Sequence, residues 1–276
     1  MADFFNFAIV FYSSNESNNI EYEIIYENMM NFLMMSFCQI KSEAIKEVSE
    51  MSVWKSLICK LISDLSNQIE FVVDSTLKIL MCITFFSNSI SLDIFLDTPI
   101  FSVLSEMIET NHIHLPKIFR VINNFCLSGD KFTEAILNES QLVYRIMKII
   151  DTTSFAYIIL EEGLHTIRNI LRQIQVPALI PFCIEHFTMW DIIYTKINRR
   201  IEAKYLIHVH DILESLYQIG DKYAEDHLLE DNLFVNRISE RNDLKDLLEL
   251  AQCHPDEAIY EKFYKLITKY FNSNDM

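Results

Sequence analysis

The sequence predicts an all-α chain built from repeated three-helix units. Three observations carry this: 276 residues hold only 3 Gly and 5 Pro, 50% of them are apolar, and apolar segments recur at near-constant intervals. Hairpins need residues that accept positive φ, and a sheet protein of this length needs many of them. Gly129, Gly163 and Gly220 cannot supply such a set. Long helices joined by short polar corners manage with so few.

Taken in order, residues 1–19 read as an apolar cap followed by the polar loop Ser13–Asn19, or as a partly disordered segment, and residues 20–37 as a helix ending an incomplete unit. A series of short apolar segments then follows: Val53–Ile62, Ile100–Ile108, Leu142–Ile150 and Met189–Ile197. Anchored on Trp54, Phe101, Val143 and Trp190, they are 47, 42 and 47 residues apart. Each precedes a longer amphipathic segment, at 68–86, 113–127, 155–172 and 201–219. Leu160, Leu164, Ile167 and Leu171 show the helical spacing of that longer series. A further short helix lies between one pair and the next, such as Lys131–Asn138 after the Gly129-Asp130 corner. Pro99, Pro177 and Pro181 fall at or near helix starts, where a missing N–H costs nothing.

Three helices per ~42–47 residues is the length of an armadillo repeat, with two-helix HEAT repeats the nearest rival. The expected architecture is a right-handed α-solenoid over residues 20–276, one domain with four clear units plus terminal pieces. Trp54 and Trp190 occupy equivalent places and are expected in the core.

With 39 acids against 23 bases the formal charge is −16. Phosphate backbones would be repelled, so nucleic acid is excluded as a partner, while basic partners would be attracted. The same acidity also serves to keep an apolar-rich chain soluble. The cysteines at 38, 59, 82, 126, 183 and 253 form no CxxC pair, which suits a reducing compartment without disulfide or zinc sites. Phe4–Tyr12 is apolar but short, and no Lys or Arg precedes Lys41. Neither a signal peptide nor a membrane span is expected, which suits cytoplasm or nucleus.

Catalytic motifs are missing. Isolated glycines exclude GxxxxGK[ST] and GxGxxG loops, and neither GxSxG nor HExxH occurs. His112-x-His114 and His208-x-His210 suggest metal only weakly, the second pair least because it lies in a helix, where residues two apart point to nearly opposite faces. Pairs such as Glu161-Glu162 read as solvated helix surface. The expectation is no enzyme, no cofactor and no metal.

The run Leu244–Phe271 contains a short helix, a Gln252-Cys253-His254 corner and the stretch Ile259-Tyr-Glu-Lys-Phe-Tyr-Lys-Leu-Ile-Thr-Lys-Tyr-Phe271. It resembles the last armadillo repeat of importin alpha, the adaptor that carries nuclear-localisation signals. Ile212–Asp221 is similar to that family's penultimate repeat, and Gly129–Val143 to a stretch joining two repeats. The resemblance covers residues from about 50 to 271, and is specific at the end and diffuse elsewhere.

The resemblance implies that third helices line a concave groove, where Trp and Asn four residues apart hold an extended basic peptide. An Asn amide can clamp a peptide backbone through both donor and acceptor, while parallel rings grip Lys or Arg stems. Aligned by apolar pattern, the matching pairs are Lys78/Cys82, Arg120/Asn124, His165/Asn169 and Asp211/Ser215, with Glu27/Asn31 as a weaker earlier one. Their first members are 42, 45 and 46 residues apart. Trp fills none of these positions; His165 is the nearest flat substitute, and Lys78 and Arg120 would repel a basic peptide. The expected peptide-binding residues are therefore His165, Asn169, Arg120, Asn124, Asp211 and Ser215. The implied partners are proteins bearing basic signals and, at the C-terminal repeats, an export factor. The basic segment that recruits importin beta is not seen. The alternative is an armadillo interaction scaffold without signal recognition.

Overall fold

The structure, a computed structural model, describes residues 28–33, 35, 46, 49–50, 53–86, 90–139, 141–152, 157–197 and 203–271. The expected cap at 1–19 lies outside them, as does Glu27 of the earliest pair. Among the described residues there is helix and turn but no strand. Two compact units, Met1–Ala135 and Ile136–Met276, divide the chain.

In the first unit, α1 (Trp54–Asp64) packs on α2 (Glu70–Phe85), and α3 (Ile100–Thr110) packs on α4 (Leu115–Leu127). A 3-10 turn at Asp93–Asp97 takes the place of the short first helix of a repeat. The helices form because apolar residues recur at three and four, so one face is covered while the other stays polar. Leu57, Ile58 and Leu61 of α1 are fully buried, as are Leu77, Leu80 and Ile83 of α2. Phe125 of α4 sits at the centre of an aromatic cluster, with Phe95 and Phe101 each 5.2 Å away edge-on and Phe132 at 5.5 Å. Each such buried ring contributes about 1.5–3 kcal/mol through lost water contact. Gly129 (φ +136°) makes the corner after α4, in backbone territory that side chains rarely enter. The next helix, α5 (Asp130–Asn138), contains the boundary between the units.

The second unit continues with α6 (Leu142–Asp151) on α7 (Tyr157–Leu171). Then come α8 (Leu179–Glu185), a 3-10 turn at Phe187–Trp190 leading into α9 (Asp191–Tyr194), and the long α10 (Ala203–His227). The stretch expected as one helix over 189–197 is thus broken into two short pieces. The last repeat is complete: α11 (Leu233–Glu240), α12 (Asn242–Gln252) and α13 (Glu257–Tyr270). Asn232 and Asp256 cap α11 and α13 by accepting backbone N–H bonds, which satisfies donors that a helix start leaves orphaned.

The tryptophans are core residues, Trp190 donating to the Cys183 carbonyl at 3.2 Å. Burial pushes the Cys126 thiol up to about 12 and Cys183 higher still, so both act as small apolar residues. No helix among the described residues is long and apolar enough to cross a membrane.

Candidate functional site

Within each unit the third helices of successive repeats are neighbours. In the first unit α2 lies beside α4, and in the second α10 lies beside both α7 and α13. This brings residues about one repeat apart into contact. The result, within each unit, is a ladder of polar rungs across its third-helix faces.

In the first unit the central rung is Asp74. Its carboxylate meets Lys78 at 2.7 Å, Lys117 of α4 at 2.8 Å and the ring of buried His114 at 3.5 Å. Burial alone would raise the Asp74 pKa, but the bonds from Lys117 and Lys78 outweigh it and hold the group below its ordinary range. Asn124 bridges the same two helices. Its amide donates to the Met81 carbonyl at 3.3 Å and to the Thr84 hydroxyl at 3.0 Å. Arg120 is exposed one turn earlier on α4.

The second unit has a larger cluster. His165 of α7 lies against His208 of α10, and an Arg168 nitrogen stands 3.0 Å from His208 Nδ1. A guanidinium only donates, so Nδ1 is the acceptor and the proton of the neutral ring sits on Nε2. Burial first, then the charge of Arg168, lowers both histidine pKa values, that of His208 to about 4. One turn along, Asp211 gathers Arg172 at 2.8 Å, His210 at 3.2 Å, Lys262 of α13 at 3.5 Å and Arg168 at 3.7 Å. Its burial would raise the pKa, but the His210 hydrogen bond and the charges of Lys262 and Arg172 bring it below the usual range. Beside it, His210, Glu214, Glu261, Lys262, Lys265 and Lys269 line an open cleft of about 490 Å³ between α10 and α13.

The structure brings the sequence-selected residues to this ladder but gives them different surroundings from those expected. His165 is half-buried and stacked on another histidine rather than presented as a bare platform. Asn169 is a correction. Only 4% of it is exposed and it is already engaged within the chain, so its amide does not stand open in a groove. The reason is register: Asn169 falls between Arg168 and the buried Ile170 and Leu171, on the flank that α7 turns toward its neighbours. Ser215 is likewise buried, its hydroxyl donating back to the Asp211 carbonyl at 2.8 Å. Asn124 keeps partial exposure, with its N–H group spent on α2. Asp211 faces the ladder as a charge hub rather than a peptide clamp.

Sequence reasoning missed Asp74, Arg172 and Lys262. The available signal was spacing: Asp74 and Lys117, like Glu161 and Lys204, stand 43 residues apart, one repeat, with opposite charge. His210, Asp211 and Glu214 place ligating atoms within 4.8 Å of one another. Arg172 and Lys262 already neutralise the Asp211 carboxylate, so this group does not fit a cation. His208 turns instead toward His165, as the helical spacing of the His208-x-His210 pair requires.

No family model and no curated protein matches the sequence. Solved structures do. A designed armadillo repeat protein, YIII(Dq)4CqI, superposes with a TM-score of 0.66 at 12% identity, covering 96% of this chain and 98% of that one. Another, YIII(Dq.V1)4CPAF in complex with the peptide (KR)4, gives 0.69 at 12% identity, with coverage of 96% and 98%. Computationally designed armadillo repeat proteins for modular peptide recognition give the same score, identity and coverage. At such identity the likeness is one of fold. The chain folds as an armadillo-repeat solenoid.

Proposed function

We propose that this chain is a non-enzymatic adaptor that holds an extended segment of a partner protein across its third helices. One observation carries the reading: within each unit consecutive third helices lie side by side, and their polar side chains meet one repeat apart, as at Asp74–Lys117, Glu161–Lys204 and Arg172–Asp211. A row of charged and hydrogen-bonding groups at near-regular intervals suits a peptide backbone, whose own polar groups also recur. Designed proteins of the same fold, made for modular peptide recognition, support it. Short peptides carrying a photo-reactive residue should crosslink to α7, α10 and α13. Crosslinks confined to α6, α8 or α12 would sink the reading.

A second reading is importin-alpha-like transport of basic nuclear-localisation signals between cytoplasm and nucleus. The C-terminal run Leu244–Phe271, the charge of −16 and a designed armadillo protein solved with (KR)4 favour it. Against it stand the missing groove tryptophans, the buried Asn169 and the cations Lys78 and Arg120. Of the two, the scaffold without signal recognition has the better support. Binding of basic signal peptides that is lost on changing Asn124 and His165 would reverse that order.

A further inference from the structure

The third helix α10 runs for 25 residues, where α2, α4, α7 and α13 run for 16, 13, 15 and 14. Its surplus lies at the C-terminal end, since α7 closes at Leu171 soon after His165 while α10 continues past Asp211 to His227. The added turns carry Tyr223 and His227 one turn apart. Their ring centroids are 4.0 Å apart, and the His227 Nδ1–H donates to the Tyr223 carbonyl at 2.9 Å. Across from this fixed pair stand α8 and the turn before it. Together they enclose a groove of about 630 Å³, and its lining shares no residue with the ladder.

The groove is apolar inside. On α8, Leu179 and Cys183 turn into the core, which leaves Ile180 and Ile184 half-buried, one turn apart, along the groove. Ile174 lies beside them, Val176 is fully buried, and Pro177 and Pro181 stay exposed. Two exposed leucines, Leu228 and Leu229, follow His227. The repeat itself does not require this arrangement, because the other third helices pack with at least nine residues fewer.

The surroundings are acidic. Glu185 of α8 and Asp226 of α10 put a carboxylate on each wall, against Lys222. Neither acid has an ion pair among the described residues, unlike Asp211 of the ladder. Lys222 stands one turn before Asp226 and offsets one charge. The exposed acids Glu225, Glu230 and Asp231 follow in the same stretch, where His227 is the only other basic residue.

We infer that this groove docks a short amphipathic helix of a partner protein, which presents Leu or Ile side chains one turn apart between Lys or Arg flanks. Both walls repeat at one helical turn, Ile180–Ile184 against Tyr223–His227, so side chains spaced three or four residues apart seat between them. Covering the half-buried isoleucines and the exposed ring of His227 supplies the attraction. Glu185, Asp226 and the acids beside them draw and orient the basic flanks. The stacked rings hold their wall in place before the partner arrives, which lowers the ordering cost. This is a second docking surface, independent of the peptide-holding face.

The test uses the full chain and fluorescence anisotropy with three labelled helical peptides of equal length. The first has Leu one turn apart between Lys-Arg flanks, the second the same leucines between Glu flanks, and the third Lys-Arg flanks with Ser for Leu. The first should bind most tightly. Ile184→Ala should weaken it about fivefold or more. Pro181→Arg, at an exposed position, should do likewise with folding intact by circular dichroism. Glu185→Gln/Asp226→Asn should weaken it about twofold to tenfold and flatten its salt dependence. Lys204→Gln, on the ladder, should leave it unchanged. Preference for the Glu-flanked peptide, or no binding by any of the three, would overturn the inference. Equal binding of the Ser peptide would overturn it too, because charge alone would then suffice. So would binding that survives both Ile184→Ala and Pro181→Arg but falls with Lys204→Gln, which would move the peptide to the ladder.

Discussion

The imidazole of His165 on α7 lies against that of His208 on α10, with ring centroids 5.3 Å apart and planes inclined by 30°. Arg168 stands over the same pair, 3.0 Å from His208 Nδ1. A second positive charge at this place would face a guanidinium at hydrogen-bond distance. That is why the His208 pKa, already lowered by burial, falls to about 4.

Stability should therefore depend on pH in a defined direction. An unfolded histidine titrates near 6.5. Between there and about 4, the unfolded chain takes up a proton that folded His208 refuses, so stability falls as pH drops through this window. The ring is half-buried, and solvent screening reduces the effect to about 1–2 kcal/mol. Glu161, Arg172 and Asp211 also face the pair, and Asp211 is held below its ordinary range by its hydrogen bond from His210 and the charges of Lys262 and Arg172. Denaturant melts of the wild type and of His208→Gln between pH 7 and 4.5 check this. The variant should show the flatter profile, and parallel profiles would reject the assignment.

Asn169→Ala should destabilise the fold. The residue is 4% exposed and engaged within the chain, so removing its amide leaves partners unsatisfied, at about 1–3 kcal/mol. Asn124→Ala should cost about 1 kcal/mol, because the bonds lost to Met81 and Thr84 lie where water can replace them. Thermal melts of the two variants should rank them in that order.

Gly220 and Asn232 are coupled. A Cβ on Gly220 would collide with the Asn232 amide. That amide donates to the Tyr217 carbonyl and to Asp221, each at 2.7 Å, while its oxygen caps α11. Gly220→Ala should cost about 1–3 kcal/mol by overpacking, and Asn232→Ala about 0.5–2 kcal/mol by loss of the cap. In the double variant the collision is gone, so the combined cost should fall below the sum of the two. Strict additivity in chemical denaturation would refute this coupling.

Leu228 offers a stabilising change. It ends α10 at φ +54°, the left-handed conformation that glycine adopts freely, and is 93% exposed. The Leu229 N–H closes the turn on the Ala224 carbonyl at 2.9 Å. Leu228→Gly should raise stability by about 0.5–1 kcal/mol, since it relieves the strain and loses no packing. A lowered melting temperature would show that the leucine contributes something the turn geometry does not reveal.

The helices were legible in the sequence because their cause is local. Leu164, Ile167 and Leu171 share one face wherever α7 lies, and that spacing is visible without a fold. The scarcity of glycine, the repeat interval and the burial of Trp54 and Trp190 follow from the same short-range pattern. Where local signals weakened, the reading slipped. Met189–Ile197 looks like one helix but breaks at Trp190, and α10 runs on to His227 past its expected end.

The site depended on contacts that sequence spacing only hints at. Whether Asn169 opens to a ligand or is covered turns on how far α7 is rotated against its neighbours, and a rotation of one residue, about 100°, exchanges those outcomes. Asp211 became a hub because Arg172 comes from 39 residues earlier and Lys262 from the following repeat. The sequence by itself determined which residues form helices and which faces are apolar. Only the tertiary structure decided which charges meet, because Coulomb attraction depends on distance in space, and folding sets that distance by packing one third helix against the next.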